Sequence, residues 1–310
     1  MNKICKLLDI KYPIIQGAMA NIADAELASS VSNAGGLGII ASGGMSADKL
    51  REEIKKCKKL TDKPFGVNLM LKAPNKDELI KVVMEEKPTV VTTGAGSPKD
   101  FIGEFKKLGI KVIPVIASVK HAVKMESLGA DALIAEGTEA GGHIGENSTL
   151  PLVQSVVASV NIPVVAAGGI YDGKGLAAML LLGASGVQMG TRFLLSTDCN
   201  IDKNYKEAIK NATETVVTGR NIGIPVRCLP NKMTEEYIRE EKSGKTKEEL
   251  EHFTLGALKK AVAGDVETGS LMSGQIVSMV NKEASTSQII EEIMYDAEKT
   301  LVDASTIEIR

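Results

Sequence analysis

Residues 162–190 read IPVVAAGGIYDGKGLAAMLLLGASGVQMG. A short apolar run ends in two glycines, a longer apolar stretch follows, and a second short run ends in Gln-Met-Gly. Neither IPVV nor GVQM alternates polar with apolar, so each reads as a strand buried on both faces, as in a parallel sheet covered by helices. The apolar run LAAMLLLGA (176–184) between them is far too short for a membrane span.

Outward from this unit the same pattern recurs. PIIQ (13–16), GLGIIAS (36–42), PFGVNLM (64–70), TVVTTG (89–94), KVIPVI (111–116) and DALIAEG (131–137) bring the strand-like runs to eight. Their spacing, roughly 20–30 residues, is the length of a strand–helix unit. The intervening segments carry helix signals. ADKLREEIKKCKKL places Leu50, Ile54, Cys57 and Leu60 on one face, and KDFIGEFKKLGI and SVKHAVKMESLGAD each close on Leu-Gly. Eight such units predict an α/β fold, a (β/α)8 TIM barrel of about 250 residues. The excess falls at 198–268, a polar stretch containing TEEYIREEKSGKTKEELEHF (234–253). The expectation is a barrel from 1–197 and 269–310 with a small inserted helical or cap domain at 198–268. GSLMSGQIVSMV and EEIMYDAEKTL would resume amphipathic helix and return to the barrel.

Composition narrows the class. The chain has 310 residues, 44% hydrophobic and 25% charged, with 37 Lys and Arg against 39 Asp and Glu. This is an ordinary globular balance with no basic field for nucleic acid. Aromatics at 3%, with no Trp, leave no base-stacking surface. Cys5, Cys57, Cys199 and Cys228 form no CxxC pair, so neither a zinc site nor a disulfide framework is expected. Reduced thiols, the absence of a signal-like start and the absence of a membrane-length run point to a cytoplasmic protein with no membrane partner.

In such a barrel the chemistry collects at the C-terminal ends of the strands. The first strand ends at Gln16-Gly17-Ala18-Met19, the third near Asn68, the fourth at Thr93-Gly94 and the sixth at Glu136. The seventh ends at Gly168-Gly169 and the eighth at Gln188-Met189-Gly190-Thr191. Glycines after the last two strands suit phosphate, because backbone N–H groups must come close and a Cβ would obstruct them. They could also be no more than tight turns.

EGTEAGGHIG (136–145) sets His143 among four glycines. A core histidine would need burial, which this loop does not favour, and a metal site lacks partners, since His121 and His252 fall on helical stretches. His143 therefore reads as a proton-handling or hydrogen-bonding group in the mouth. Gly142 and its neighbours would let the loop lie close over a flat ligand. Asn68 and Gln188 could bond the polar edge of a heterocycle. Glu136 should face the mouth, while Glu139 reads as solvated loop.

GIYDGKG (169–175) and Tyr295 with Lys299 imitate a Rossmann reductase. That fold begins at its glycine fingerprint, which would leave 168 residues of β/α pattern unexplained. Tyr295 and Lys299 are more simply neighbours one helical turn apart.

IIQGAMA, NAGGLGII, FGVNLML, VVTTGAG, AEGTEAGGHIG, PVVAAGGI and QMGTRFL, in that order, resemble the nitronate monooxygenase-like FMN enzymes. Within them the chain is most similar to the flavin-dependent enoyl-acyl-carrier-protein reductases. The resemblance implies FMN in the barrel mouth, with Gly17, Ala18 and Met19 against the ring and Asn68 and Gln188 on its polar parts. It implies that Gly168, Gly169, Gly190 and Thr191 hold the phosphate, and that His143 lies beside the reactive face. It further implies NADH or NADPH as co-substrate, an enoyl thioester on acyl carrier protein as substrate, a homodimer and a response to monovalent cations. Oxidation of nitronates by O2, with the same histidine as base, is the other activity the resemblance covers.

Overall fold

The computed structural model describes residues 2–308. In chain order the strands are β1 (Ile14–Gln16), β2 (Gly38–Ala41), β3 (Phe65–Met70), β4 (Val90–Gly94), β5 (Lys111–Ile116) and β6 (Leu133–Glu136). They continue with a two-residue β7 (Gly142–His143), β8 (Val164–Ala167), β9 (Gly186–Met189), β10 (Val216–Thr218) and β11 (Val226–Cys228). Eight parallel strands run β1-β9-β8-β6-β5-β4-β3-β2. A parallel bridge between Ile15 and Leu37 closes the ring between β1 and β2. The architecture is the expected α/β barrel.

The seam between β1 and β2 is the weak point of the barrel. Leu37 N–H donates to the Ile14 carbonyl at 2.9 Å, and Gln16 N–H donates to the Leu37 carbonyl at 3.0 Å. Beyond them a side chain takes over. Gln16, fully buried, accepts from Ile39 N–H at 3.0 Å and donates its amide to the Gly17 carbonyl. A side-chain amide thus supplies a rung where the backbone ladder stops.

Alternation along each strand sorts the residues. Ile15, Leu37, Ile39, Val90, Ile113, Ile134, Val165 and Ala167 fill the lumen together with Ile4, Cys5 and Leu8. Those last three sit on the helix Lys3–Leu8, which stoppers the N-terminal end. A Cβ on Gly186, the first residue of β9, would come within 3.1 Å of Ile4. With the bottom filled, the lumen opens at the C-terminal ends of the strands. The opposite faces of the strands pack on the surrounding helices in the larger core.

Several local expectations change. The stretch 198–268 is not purely helical, since β10 and β11 form an antiparallel hairpin within it, and β11 pairs in turn with β7. Tyr205 and Ile209, on the helix Lys203–Asn211, join the main core, whereas Met233, Tyr237 and Leu250 form a small core of their own. GSLMSGQIVSMV forms no α-helix, only a short 3-10 turn at Gln275–Met279, while Thr286–Ala304 is helical as read. Leu60 is exposed, and Glu53 is buried in its stead. Its carboxylate accepts from Ala25 N–H and pairs with Lys49, each at 2.8 Å. No helix among the described residues is long and apolar enough to cross a membrane.

Gln16→Ala should leave the Ile39 N–H buried without an acceptor, at a cost of about 1–3 kcal/mol. The check is urea unfolding, with the midpoint lowered and the slope unchanged.

Candidate active site

The open end of the barrel holds a cavity of about 250 Å³ between the ends of β1, β6, β8 and β9. Gly17, Ala18, Met19, Glu136, Gly142, His143, Gly168, Gly169, Gln188, Gly190 and Thr191 all line it. Asn68 does not: its amide is bonded to the Thr92 hydroxyl at 3.0 Å, away from this cavity. The strand-end reading thus converges largely on one place, with Asn68 and the Thr93-Gly94 end of β4 outside it.

The register explains the floor of the cavity. Glu136 stands opposite Ala167, and Ala167 opposite Gln188, so the three occupy one row across β6, β8 and β9. The middle residue is small. A carboxyl group and an amide therefore face each other across two strand spacings, about 10 Å. Neither side chain has a hydrogen-bond partner among the described residues, and both reach the cavity. Burial pushes the Glu136 carboxyl up to about 7.

The glycines prove to be of two kinds. Gly168 has φ +100°, and a Cβ there would lie 2.8 Å from the Thr149 hydroxyl. Its identity is explained by the protein alone. Gly190 differs: its φ of −108° suits any residue, and a Cβ would meet nothing nearer than Met19 Sδ at 3.7 Å. What the missing Cβ leaves open is the cavity. The N–H groups of Gly169 and Gly190 donate to no acceptor among the described residues. The Thr191 hydroxyl oxygen accepts from Gly274 N–H at 2.8 Å and keeps its own hydrogen free to donate. Open space, free donors and the unpartnered Gln188 amide fit a phosphorylated flat ligand such as FMN.

The His143 segment is held on three sides. Val226 pairs with His143 and Arg227 with Gly142, and Ile144 N–H donates to the Pro225 carbonyl at 3.1 Å. The buried Arg227 reaches back to the start of the loop. Its Nε donates to the Thr138 carbonyl at 3.0 Å and its Nη1 to the Thr215 hydroxyl at 2.9 Å. Glu139 is not solvated loop. Its carboxylate accepts from Thr149 N–H at 2.9 Å and lies 2.7 Å from the Thr149 hydroxyl, capping the helix Thr149–Val157. The histidine side chain is left free in the mouth. Burial and, secondarily, the charge of Lys72 lower its pKa from the ordinary histidine value. His121 and His252 are exposed on helices, as expected.

Sequence reasoning missed the strap over the cavity. Met272, Gly274 and Ile276 line it, carried by the segment expected to be helical. Their every-second-residue spacing was the available signal. Gly274 sits where a Cβ would be 2.9 Å from the Glu139 carbonyl, and that carbonyl accepts from Gln275 N–H at 2.8 Å. The four cysteines are all buried and free. Among the described residues no three His, Cys, Asp or Glu gather as a metal site would require.

A barrel with free glycine N–H groups, an unpartnered amide and a single histidine at its open end is a scaffold that suits a bound organic cofactor. The profile of the nitronate monooxygenase family matches residues 2–81 and 74–296, and the chain belongs to that family. The structure of FabK from Thermotoga maritima superposes with a TM-score of 0.96, at 46% identity over 98% of both chains. A (3aS,4S,5R,7aS)-5-hydroxy-7a-methyl-1-oxo-octahydro-1H-indene-4-carboxyl-CoA dehydrogenase of Mycobacterium tuberculosis is 36% identical over 98% of both chains. A probable nitronate monooxygenase of Staphylococcus saprophyticus is 36% identical over 96% of this chain and 98% of its own. The relatives are oxidoreductases, and so is this chain.

Gly168→Ala should destabilise the protein by more than about 1 kcal/mol, because both its φ and its surroundings reject a side chain. Gly190→Ala should leave the melting temperature of the empty protein nearly unchanged while weakening ligand retention. Thermal melts with and without FMN separate the two. The raised Glu136 pKa lies above its unfolded value, so its contribution to the stability of the empty protein is full below about pH 4.5 and lost as pH rises through about 7. Glu136→Gln should therefore melt higher than wild type at pH 8, by up to about 3 kcal/mol, with the gap closing toward pH 4.5.

Proposed function

We propose that the chain is an FMN-dependent reductase that uses NADH or NADPH to reduce the trans-2 double bond of enoyl thioesters on acyl carrier protein, in bacterial fatty-acid elongation. The observation that carries this reading is the near end-to-end likeness to the structure of Thermotoga FabK, beside motifs that resemble the flavin-dependent enoyl-acyl-carrier-protein reductases. The Mycobacterium relative, named for a carboxyl-CoA substrate, adds a second thioester.

Bound FMN would supply the hydride chemistry. The rest falls to the protein. In this reading Gly169, Gly190 and Thr191 hold the phosphate through free donors, and Gln188 reads the polar edge of the ring. Met272 and Ile276 cover the cavity and keep water out. Reduction at the β-carbon of an enoyl thioester builds negative charge on the thioester oxygen. His143, free in the mouth, would donate its N–H there or pass a proton to the α-carbon. A donor aimed at developing charge contributes about 2.7–4 kcal/mol.

A nitronate monooxygenase reading is favoured by one observation, the likeness over nearly the whole chain to the Staphylococcus relative. The same histidine would then remove a carbon-bound proton.

His143→Ala should retain the fold, because β7 pairs through its backbone, and should retain FMN. Turnover should fall about a hundredfold or more. The test is anaerobic stopped-flow with FMN-loaded protein, NADH or NADPH, and crotonyl thioester. Flavin reduction followed by enoyl-dependent reoxidation supports the reductase. Failure to reduce, with O2 consumption on a nitronate, supports the other reading. Wild-type turnover by the variant would remove His143 from the chemistry.

A further inference from the structure

We propose that Glu136 meets the cofactor as a neutral carboxylic acid, donating a hydrogen bond into the slot it shares with Gln188, so that the cofactor binds with uptake of a proton. The proposal rests on the FMN reading above.

Among the described residues Glu136 stands without a polar partner. It closes β6 on the lumen side, in one row with Ala167 and Gln188. Its carboxyl group accepts no hydrogen bond and meets no cation within 4.0 Å among the described residues. A carboxylate kept charged in a protein interior has such partners, and this one lacks them.

Among the described residues no neighbouring element brings a compensating charge. From β5 the lumen receives Ile113 and Val115, and the one basic residue of that strand, Lys111, stands at its opposite end near Asp131. From β8 it receives Val165 and Ala167, and from β9 the neutral amide of Gln188. The end of β1 contributes Gly17, Ala18 and Met19. In the loop after β6, the Glu139 carboxylate is turned away to Thr149. His143 also lines the cavity, and burial together with Lys72 opposes its charged form. Nothing in this set favours ionised Glu136, and burial accordingly raises its pKa to about 7.

The ligand chemistry points the same way. Flavin ring edges are richer in acceptors than in donors, and the phosphate is an anion. A carboxylate could only accept, and would add like charge to a site whose phosphate loops follow the next two strands. A neutral acid donates. Above its pKa in the empty protein, Glu136 must recover a proton before it can do so.

The test is FMN affinity of the empty protein from pH 7.5 to 9, read by flavin fluorescence. The FMN phosphate, with a second pKa of about 6, has already ionised there and adds no slope. Wild-type affinity should fall by about tenfold per pH unit. Glu136→Gln, which keeps a donor that does not titrate, should bind FMN with no slope. Independently of any variant, calorimetry of wild type at pH 8 in two buffers of different ionisation enthalpy should show close to one proton taken up per FMN. A flat wild-type profile with no proton uptake overturns the proposal, as does an equal slope in the variant. Wild-type protein that binds no FMN at any pH overturns the cofactor reading itself, a result distinct from binding without a proton.

Discussion

The mouth of this barrel depends on how one carboxylate is bonded. Glu139 sits between β6 and β7, and its side chain caps the helix Thr149–Val157 through Thr149. The Thr149 hydroxyl lies 3.0 Å from the Gly168 carbonyl, which ties that helix to the loop after β8. The Glu139 backbone carbonyl holds Gln275 of the strap. A Cβ on Gly169 would lie 3.3 Å from its own Cβ. One residue therefore connects the histidine loop, the next helix, a glycine turn and the returning C-terminal segment. A glycine-rich loop needs such anchors, since its backbone has the most conformational freedom to lose.

Anchoring is completed from outside the barrel. The hairpin β10–β11 extends across to β7, and Arg227 grips both ends of the loop, one through its backbone and the other through its guanidinium. This gives the 198–268 stretch a role at the site. It lends a strand to the histidine that the barrel strands do not provide. His143 is thereby fixed by backbone pairing while its side chain stays available.

Burial acts on His143 and Glu136 with opposite sign and the same result. It lowers the imidazole and raises the Glu136 carboxyl, because in each case it disfavours the charged form. Burial thus works against fixed ions in the lining and leaves the Gln188 amide as a neutral polar group beside them. Such a lining suits a ligand that brings its own charge and has it met by backbone N–H groups.

The sequence by itself determined the barrel and which end of it is open. Eight doubly apolar runs with helices between them admit little else, and strand alternation places Glu136 and Gln188 on the inner face. His143 and the glycine turns could be read because residues at strand ends converge in any such barrel. Only the tertiary structure decided which glycines are structural and which leave room for a ligand. Gly168 and Gly190 look alike in sequence, and differ only in their φ and in what lies next to them. Only the tertiary structure revealed the β7–β11 pairing, the strap at 270–276 and the cap made by Glu139. Those contacts join segments far apart in the chain, Thr138 to Arg227 and Glu139 to Gln275 among them, through two or three residues each. Runs that short carry no periodicity of their own, and their conformation is set by the partner they meet.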